Sequence, residues 1–214
     1  MSDQTARAKP KLRGVFHECA FFVSFATGAL LILLADGGRE RFAVAIYAVA
    51  ITALFGASAL YHRPTWSVPV RRWLRRLDHS SIFLLIAGTF TPFALLVMDG
   101  PLATAILIVV WAGALSGIVL KFAWIDAPRW LTATVFVALG WVAVFAMPQL
   151  WSQLGAAPVL LLGVGGLLYT VGAVIYATKR PDPVPTVFGY HEIFHLLVIA
   201  AAAIQYSVVA FFVL

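Results

Sequence analysis

Residues 102–120 read LATAILIVVWAGALSGIVL, a run that contains no charged side chain. An α-helix rises about 1.5 Å per residue, so about 20 apolar residues cross the ~30 Å hydrocarbon core of a bilayer. An uncharged apolar run of this length therefore predicts a transmembrane helix rather than the half-exposed helix of a soluble domain.

The composition of the whole chain supports the same interpretation. Of its 214 residues, 62% are hydrophobic and 11% are charged, and the mean hydropathy is +0.95. A soluble domain averages about 45–50% apolar and about 25% charged residues. These values exclude a soluble protein, a disordered chain and a nucleic-acid-binding domain. The single cysteine, Cys19, excludes an internal disulfide and a cysteine-based structural zinc site.

Six further runs resemble residues 102–120, so the sequence predicts an all-α fold, a polytopic bundle of seven transmembrane helices. The predicted spans are Val15–Ala35, Phe42–Tyr61, Ser80–Met98, Leu102–Leu120, Trp130–Leu150, Val159–Thr178 and Tyr190–Leu214. The break between the fifth and sixth spans is the weakest, because it carries no charge. We divide the chain into a short basic N-terminal segment, residues 1–14, and one transmembrane domain, residues 15–214.

The lysine and arginine residues predict the orientation, because they accumulate on the cytoplasmic side of membrane proteins. Most of them lie before the first span or in the loops after the second, fourth and sixth spans: Arg7, Lys9, Lys11, Arg13, Arg63, Arg71, Arg72, Arg75, Arg76, Lys121, Arg129, Lys179 and Arg180. Only Arg39 and Arg41 lie on the other side. We therefore expect a cytoplasmic N-terminus and an outside C-terminus. Contact with anionic lipid headgroups then explains the pI near 9.8 without a nucleic-acid partner.

Polar side chains near the ends of the spans are the candidates for function, since ionisable groups inside membranes are rare and usually functional. With the predicted orientation they all lie near the cytoplasmic side: His17, Glu18, Ser58, His62, Asp78, His79, His191, Glu192 and His195.

Three of the histidines predict a metal site. His191 and His195 are four residues apart, so both imidazoles project from one face of the seventh helix. His62 supplies a third imidazole at the same depth, and Ser58 shares its helix face. Three imidazoles around Zn²⁺ leave the fourth tetrahedral position to water, which is the catalytic pattern. Asp78 would then orient or deprotonate the metal-bound water, whose pKa zinc lowers to about 7.

Simpler explanations of the same residues remain open. A pair of histidines in an apolar helix is often interfacial, His62 could snorkel to the membrane surface, and Asp78 could cap the third helix. The coincidence of depth and side across three helices favours the metal site. The residues alone do not select one metal, because three imidazoles also suit iron, nickel or copper.

The remaining candidates fit supporting roles. His79 lies about 100° around the helix from Asp78, so we expect it outside the site, at the interface or behind the ligands. His17 and Glu18 fit either a pair that supports the ligands or an N-terminal cap. Glu192 lies on another face of its helix than the histidines and favours the positive N-terminus.

Pro92 predicts a kink in the third helix, because proline removes one backbone donor. The carbonyl that this frees needs a partner in lipid, and Thr89 or Thr91 is close enough in sequence to supply a hydroxyl. A kink here would open room between helices for an acyl chain, although one that serves packing alone explains Pro92 equally well.

Several segments together resemble the haemolysin III family, the bacterial branch of the progestin and adipoQ receptors. The matching segments are residues 58–62 (SALYH), 77–83 (LDHSSIF), 86–92 (IAGTFTP) and 191–195 (HEIFH), with 16–18 (FHE) at the start of the first span. The resemblance implies a multi-pass protein of the bacterial plasma membrane. It also implies a zinc site near the cytoplasmic leaflet, with His62, His191 and His195 as ligands.

The same resemblance implies roles for two further residues. An aspartate at the position of Asp78 contacts zinc through water in the adiponectin-receptor relatives, and a serine at the position of Ser58 lies close by. The wider superfamily includes alkaline ceramidases, which suggests hydrolysis of a lipid amide.

Three functions compete at this stage. The first is a zinc-dependent intramembrane hydrolase that attacks the amide or ester of a membrane lipid. The second is a non-catalytic protein, stabilised by zinc, that senses lipid or maintains membrane fluidity. The third is an oligomeric pore; a pore through one subunit would need polar lining across the full membrane thickness, which the outer halves of these spans lack. The residues do not identify the lipid or the oligomeric state.

Overall fold

Seven helices long and apolar enough to cross a membrane make up the computed structural model, which describes residues 9–214. The protein is therefore an integral multi-pass membrane protein and an all-α bundle, as predicted. Residues 1–8 of the predicted N-terminal segment, with Arg7 among them, lie outside the described residues.

Eight α-helices form the seven spans, because the fifth span is divided. They are α1 (Val15–Leu34), α2 (Gly38–His62), α3 (Val68–Pro92), α4 (Gly100–Ala123), α5 (Arg129–Gly140), α6 (Ala143–Leu154), α7 (Ala156–Thr178) and α8 (Tyr190–Val208). Short π-helical turns extend α3 over Phe93–Val97 and α8 over Val209–Val213. We call the end of the bundle at which α1, α3 and α8 begin the basic end.

The third helix begins well before the predicted boundary at Ser80. Val68 is its first residue, with a proline in the first turn, where a missing backbone donor costs nothing. The basic residues that follow end the apolar run but do not break the helix, since arginine is a good helix former. Asp78 therefore lies inside α3, and its interpretation as a cap of that helix is wrong.

Pro92 ends α3, and the π-helical turn follows directly. The predicted role of the neighbouring hydroxyls is wrong. Proline frees the carbonyl four residues before it, which belongs to Gly88, whereas Thr89 donates to the carbonyl of Leu85 and Thr91 to that of Ala87, each at 2.8 Å. Both threonines bond within their own helical turn.

Close packing of α2 against α3 forms the centre of the bundle. In an 18-residue apolar stretch of each of these two spans, 50% and 61% of the residues are buried, whereas the corresponding share in the other spans is between 17% and 28%. A side-chain carbon added at Gly88 would collide with the methyl group of Ala50. Because lipid tails are as apolar as the helices, small residues that allow close approach are what associate helices in a membrane.

One basic residue does not contact lipid headgroups as the charge pattern predicts. Lys121 is only 2% exposed, and its ammonium group donates to the hydroxyl of Thr132 at 2.6 Å. Lys121 is therefore a buried link between α4 and α5 at the basic end. Its position in a basic loop of the sequence gave no sign of this burial.

The predicted orientation can be tested with reporter fusions. We expect alkaline phosphatase fused after Leu214 to be active and green fluorescent protein at that position to be dark, because the phosphatase needs the oxidising compartment outside the membrane to form its disulfides. Fusions truncated after Arg63 should show the opposite pattern. The same pattern at both positions would contradict the prediction that the basic end is cytoplasmic.

Candidate metal centre

Three histidines from two helices meet at the basic end. His62 is the last residue of α2, and His191 and His195 lie in the first turns of α8. One ring nitrogen of each lies within 4.8 Å of those of the other two. The Nε2 atoms of His62 and His191 are 3.1 Å apart. The prediction that these three imidazoles come together is confirmed.

We call His62, His191 and His195 the triad, and their chemistry fits a metal ion. His62 and His195 are buried, and Nδ1 of His195 has no hydrogen-bond partner. A buried polar atom without a partner costs free energy, so its presence calls for an explanation, such as an ion. Three neutral imidazoles are a usual donor set for Zn²⁺ and leave one tetrahedral position free.

Glu192 fixes the start of α8 and hence the two histidines that flank it. Its carboxylate is fully buried, accepts a hydrogen bond from the backbone N–H of Gly189 at 2.8 Å and pairs with the guanidinium of Arg13. A carboxylate at this place satisfies an unpaired donor and favours the positive end of the helix dipole. The predicted role of Glu192 at the helix N-terminus is confirmed.

His62 is held in place by the chain that precedes α1. Gly14 has a φ of +81°, and a side-chain carbon at this position would lie 2.7 Å from the Cβ of His62. Both the backbone conformation and the close approach require glycine here. Next to it, Arg63 pairs with Glu18 at 2.7 Å, and both side chains are exposed. Glu18 therefore links α1 to the end of α2 through an exposed ion pair at the basic end, away from the three clustered imidazoles.

Asp78 and Ser58 lie beside the triad, as predicted. Oδ2 of Asp78 is 3.9 Å from Nε2 of His62, and the carboxylate is largely buried. Ser58 is 3% exposed, and its hydroxyl has no hydrogen-bond partner. Together they place a negative charge and a free hydroxyl at the edge of the three imidazoles.

His79 lies behind the three clustered imidazoles, in contact with Asp78, which is one of the two positions expected for it. Its Nδ1 lies 3.3 Å from Oδ2 of Asp78, and its Nε2 is 3.3 Å from the hydroxyl of Tyr176. The angle of 100° between neighbouring residues separates their Cβ atoms, but the two side chains bend toward each other. Tyr176 was missed altogether, because it lies in an apolar span and carries no charge.

His17 and Glu18, which the sequence treats as a pair, have separate positions. The ring of His17 stacks on that of His195 with centroids 3.8 Å apart and planes inclined by 9°. His17 is buried, and neither ring nitrogen has a hydrogen-bond partner. The stacking fixes the plane of the His195 ring, so His17 supports one of the three clustered imidazoles while Glu18 does not.

A cavity of about 210 Å³ begins at these residues. At the basic end its walls include His17, Ser58, Asp78, His191 and His195. Farther along α8 it reaches Gln205, ten residues beyond His195 and hence about 15 Å away along the helix axis. That length is about half the hydrocarbon thickness of a bilayer.

The side of the cavity formed by the fifth span is also the outer surface of the bundle. Trp141 and Val144 line the cavity and are 45% and 48% exposed. The fifth span is the least buried of the seven, at 17%. Residues that line the cavity are thus exposed on the surface of the bundle at this side, where an apolar molecule in the bilayer would contact them.

Comparison with known proteins identifies relatives over most of the chain. The sequence profile described as "Haemolysin-III related" matches residues 5–206. The chain is 34% identical over 185 residues to the "Hemolysin-3 homolog" of Bacillus subtilis (strain 168), which covers 86% of this chain and 84% of that protein.

Two further relatives extend the comparison. The chain is 32% identical over 191 residues to "Hemolysin-3" of Bacillus cereus, with 87% of this chain and 84% of that protein covered. It is 31% identical over 185 residues to the "Adiponectin receptor protein" of Drosophila melanogaster, with 78% of this chain and 42% of that protein covered.

Proposed function

The chain belongs to the haemolysin-III related family, and on that premise we propose that it is a zinc-dependent hydrolase of a membrane lipid amide or ester in the bacterial plasma membrane. The observation that supports this most is the position of the triad. Its three imidazoles border an apolar cavity, with the carboxylate of Asp78 and the unpaired hydroxyl of Ser58 beside them.

His62, His191 and His195 would hold the zinc ion. When bound, zinc supplies Lewis-acid chemistry: it lowers the pKa of water to about 7 and polarises a carbonyl group. His17 would keep the ring of His195 in the orientation that binding needs, through the stacked contact at 3.8 Å.

Asp78 would be the general base. Its carboxylate takes a proton from water as the water oxygen bonds to the carbonyl carbon of the lipid. The carbon–nitrogen or carbon–oxygen bond then breaks, and Asp78 returns the proton to the leaving amine or alcohol. His79, whose Nδ1 lies 3.3 Å from Oδ2 of Asp78, would keep the carboxylate beside the cavity.

Ser58 would stabilise the oxygen that becomes negative during the reaction. Its hydroxyl is buried, faces the cavity and has no acceptor within the described structure. A donor that is already in place for the developing charge contributes more than one that must first leave another partner. The substrate's carbonyl oxygen would be the missing acceptor.

A turnover assay on purified protein tests this proposal. We expect release of fatty acid from a fluorescent ceramide, which is an amide, or from a fluorescent phosphatidylglycerol, which is an ester, in mixed detergent–lipid micelles. The release of fatty acid should stop when a chelator removes zinc and resume when zinc is added back, because the proposed reaction requires the bound metal. Zinc-loaded protein that releases no fatty acid from either substrate would contradict the hydrolase.

One observation favours a structural role as the second candidate. The triad joins α2 to α8, so a metal here would clamp two helices that are far apart in sequence. In that case chelation would lower the melting temperature of the protein, and no lipid would be turned over under any condition.

A further inference from the structure

Arg129 stands at the basic end of the wall that encloses the cavity. It is the first residue of α5, and four later residues of that helix line the cavity: Ala133, Phe136, Val137 and Gly140. Arg129 precedes Ala133 by four residues, so it occupies the same face of α5 one turn nearer the membrane surface. The cavity-lining face of this helix therefore ends in a guanidinium group.

Two tyrosines hold that guanidinium. Arg129 donates a hydrogen bond to the hydroxyl of Tyr190 at 3.0 Å, and its central carbon lies 5.6 Å from the ring centroid of Tyr176 and 6.0 Å from that of Tyr190. Aromatic faces attract a guanidinium and orient it. Its position is thus set before any ligand arrives.

Arg129 has no carboxylate partner within residues 9–214. The nearest acidic residue in the sequence, Asp126, pairs instead with Arg75 at 2.7 Å. A guanidinium carries five N–H donors in a planar fork, and the bond to Tyr190 uses one of them. Arg129 is exposed, so the remaining donors are accessible to an anion.

Tyr176 connects Arg129 to the reacting groups. Its ring lines the cavity and contacts Arg129, while its hydroxyl lies 3.3 Å from Nε2 of His79, the residue that contacts Asp78. An anion bound by Arg129 would therefore be one tyrosine ring away from His79. A lipid whose headgroup binds Arg129 at the membrane surface would therefore have its chain next to the cavity.

We propose that Arg129 and Tyr190 bind the anionic headgroup, a phosphate or a carboxylate, of the lipid whose chain occupies the cavity. A guanidinium donates two parallel hydrogen bonds to either group, and the Tyr190 hydroxyl can add a third. This inference rests on the proposed function to the extent that the cavity holds a lipid chain. It assigns anionic rather than neutral lipids as the preferred ligands.

The test is binding, measured apart from turnover. Native mass spectrometry in a neutral detergent would compare phosphatidylglycerol with phosphatidylcholine of the same acyl chains, on the Asp78→Asn variant, which should bind lipid without hydrolysing it. We expect a preference for phosphatidylglycerol of about 10–100-fold, the size of a charge-assisted bidentate pair. Arg129→Gln should remove most of the preference, and Arg129→Lys should keep only part of it, since lysine lacks the fork.

Arg72→Gln is the matched control, because Arg72 is an exposed arginine at the same end of the bundle that does not border the cavity. It should leave the preference unchanged. Equal losses in the two glutamine variants would overturn the inference, as would an Asp78→Asn protein that binds both lipids equally. Displacement of the lipid by millimolar inorganic phosphate would assign the site to a free anion instead. Failure of hydrolysis alone would not affect this result.

Discussion

Asp78→Asn is expected to lower lipid hydrolysis by about 10²–10⁴-fold, the usual contribution of a general base, and to leave the metal in place. Asparagine has nearly the same shape but accepts no proton. Asp78 is 3.9 Å from His62 and is not one of the three clustered ring donors, so its charge is needed for proton transfer rather than for the fold of the triad. Fatty-acid release and zinc content would be measured on the same preparation.

Asp126→Asn provides the control for this comparison. Asp126 is an exposed carboxylate at the same end of the bundle, paired with Arg75 and outside the cavity. Its loss should change hydrolysis by less than twofold. If Asp78→Asn retained zinc and full activity, the proposed general-base role of Asp78 would be wrong.

His191→Ala is expected to abolish stoichiometric metal binding. Loss of a residue that merely supports a ligand typically costs 10–100-fold in metal affinity, so the loss of one ligand in three should exceed about 100-fold. Competition with a chromophoric chelator measures this affinity. The melting temperature in the presence of zinc should fall as well, because binding to the folded state adds to its stability.

His79→Ala separates the triad from the other imidazoles near it. His79 contacts Asp78 and Tyr176 but is not among the three clustered ligand atoms. This variant should keep its zinc while hydrolysing more slowly. If His79→Ala lost zinc to the same extent as His191→Ala, the ligand set would not be the one assigned here.

The helices and the candidate metal ligands are predicted from simple periodicities of the sequence. Uncharged apolar runs predict spans because about 20 apolar residues are needed to cross the hydrocarbon core of a bilayer. The spacing of His191 and His195 places two imidazoles on one face of a helix. His62 could be added only because the orientation of the spans places it at the same depth. These inferences concern single helices and the membrane, and they do not depend on how the helices pack.

The features that were missed depend on packing. Lys121 is buried because Thr132 of α5 lies opposite it, and nothing in the basic loop predicts that neighbour. His79 contacts the hydroxyl of Tyr176 in α7, and the charge pattern of neither helix predicts this neighbour. Charge and hydropathy are properties of single residues, so they do not predict contacts between helices that are distant in sequence.

The cavity was predicted only in part. Pro92 was expected to open room between helices, and it does end α3, although the threonines beside it bond differently than predicted. The division of the fifth span at Gly140, which lines the cavity, was not predicted at all. An apolar wall of a cavity has the same composition as an apolar wall facing lipid, so sequence cannot separate the two.

The most direct test of this account is the zinc content of the wild-type protein, purified in detergent without chelators and measured by elemental analysis. We predict about one zinc ion per chain, held by His62, His191 and His195 and absent from a folded His191→Ala variant. A folded wild-type protein without stoichiometric metal, even after incubation with zinc, would contradict the metal centre and with it the proposed hydrolase.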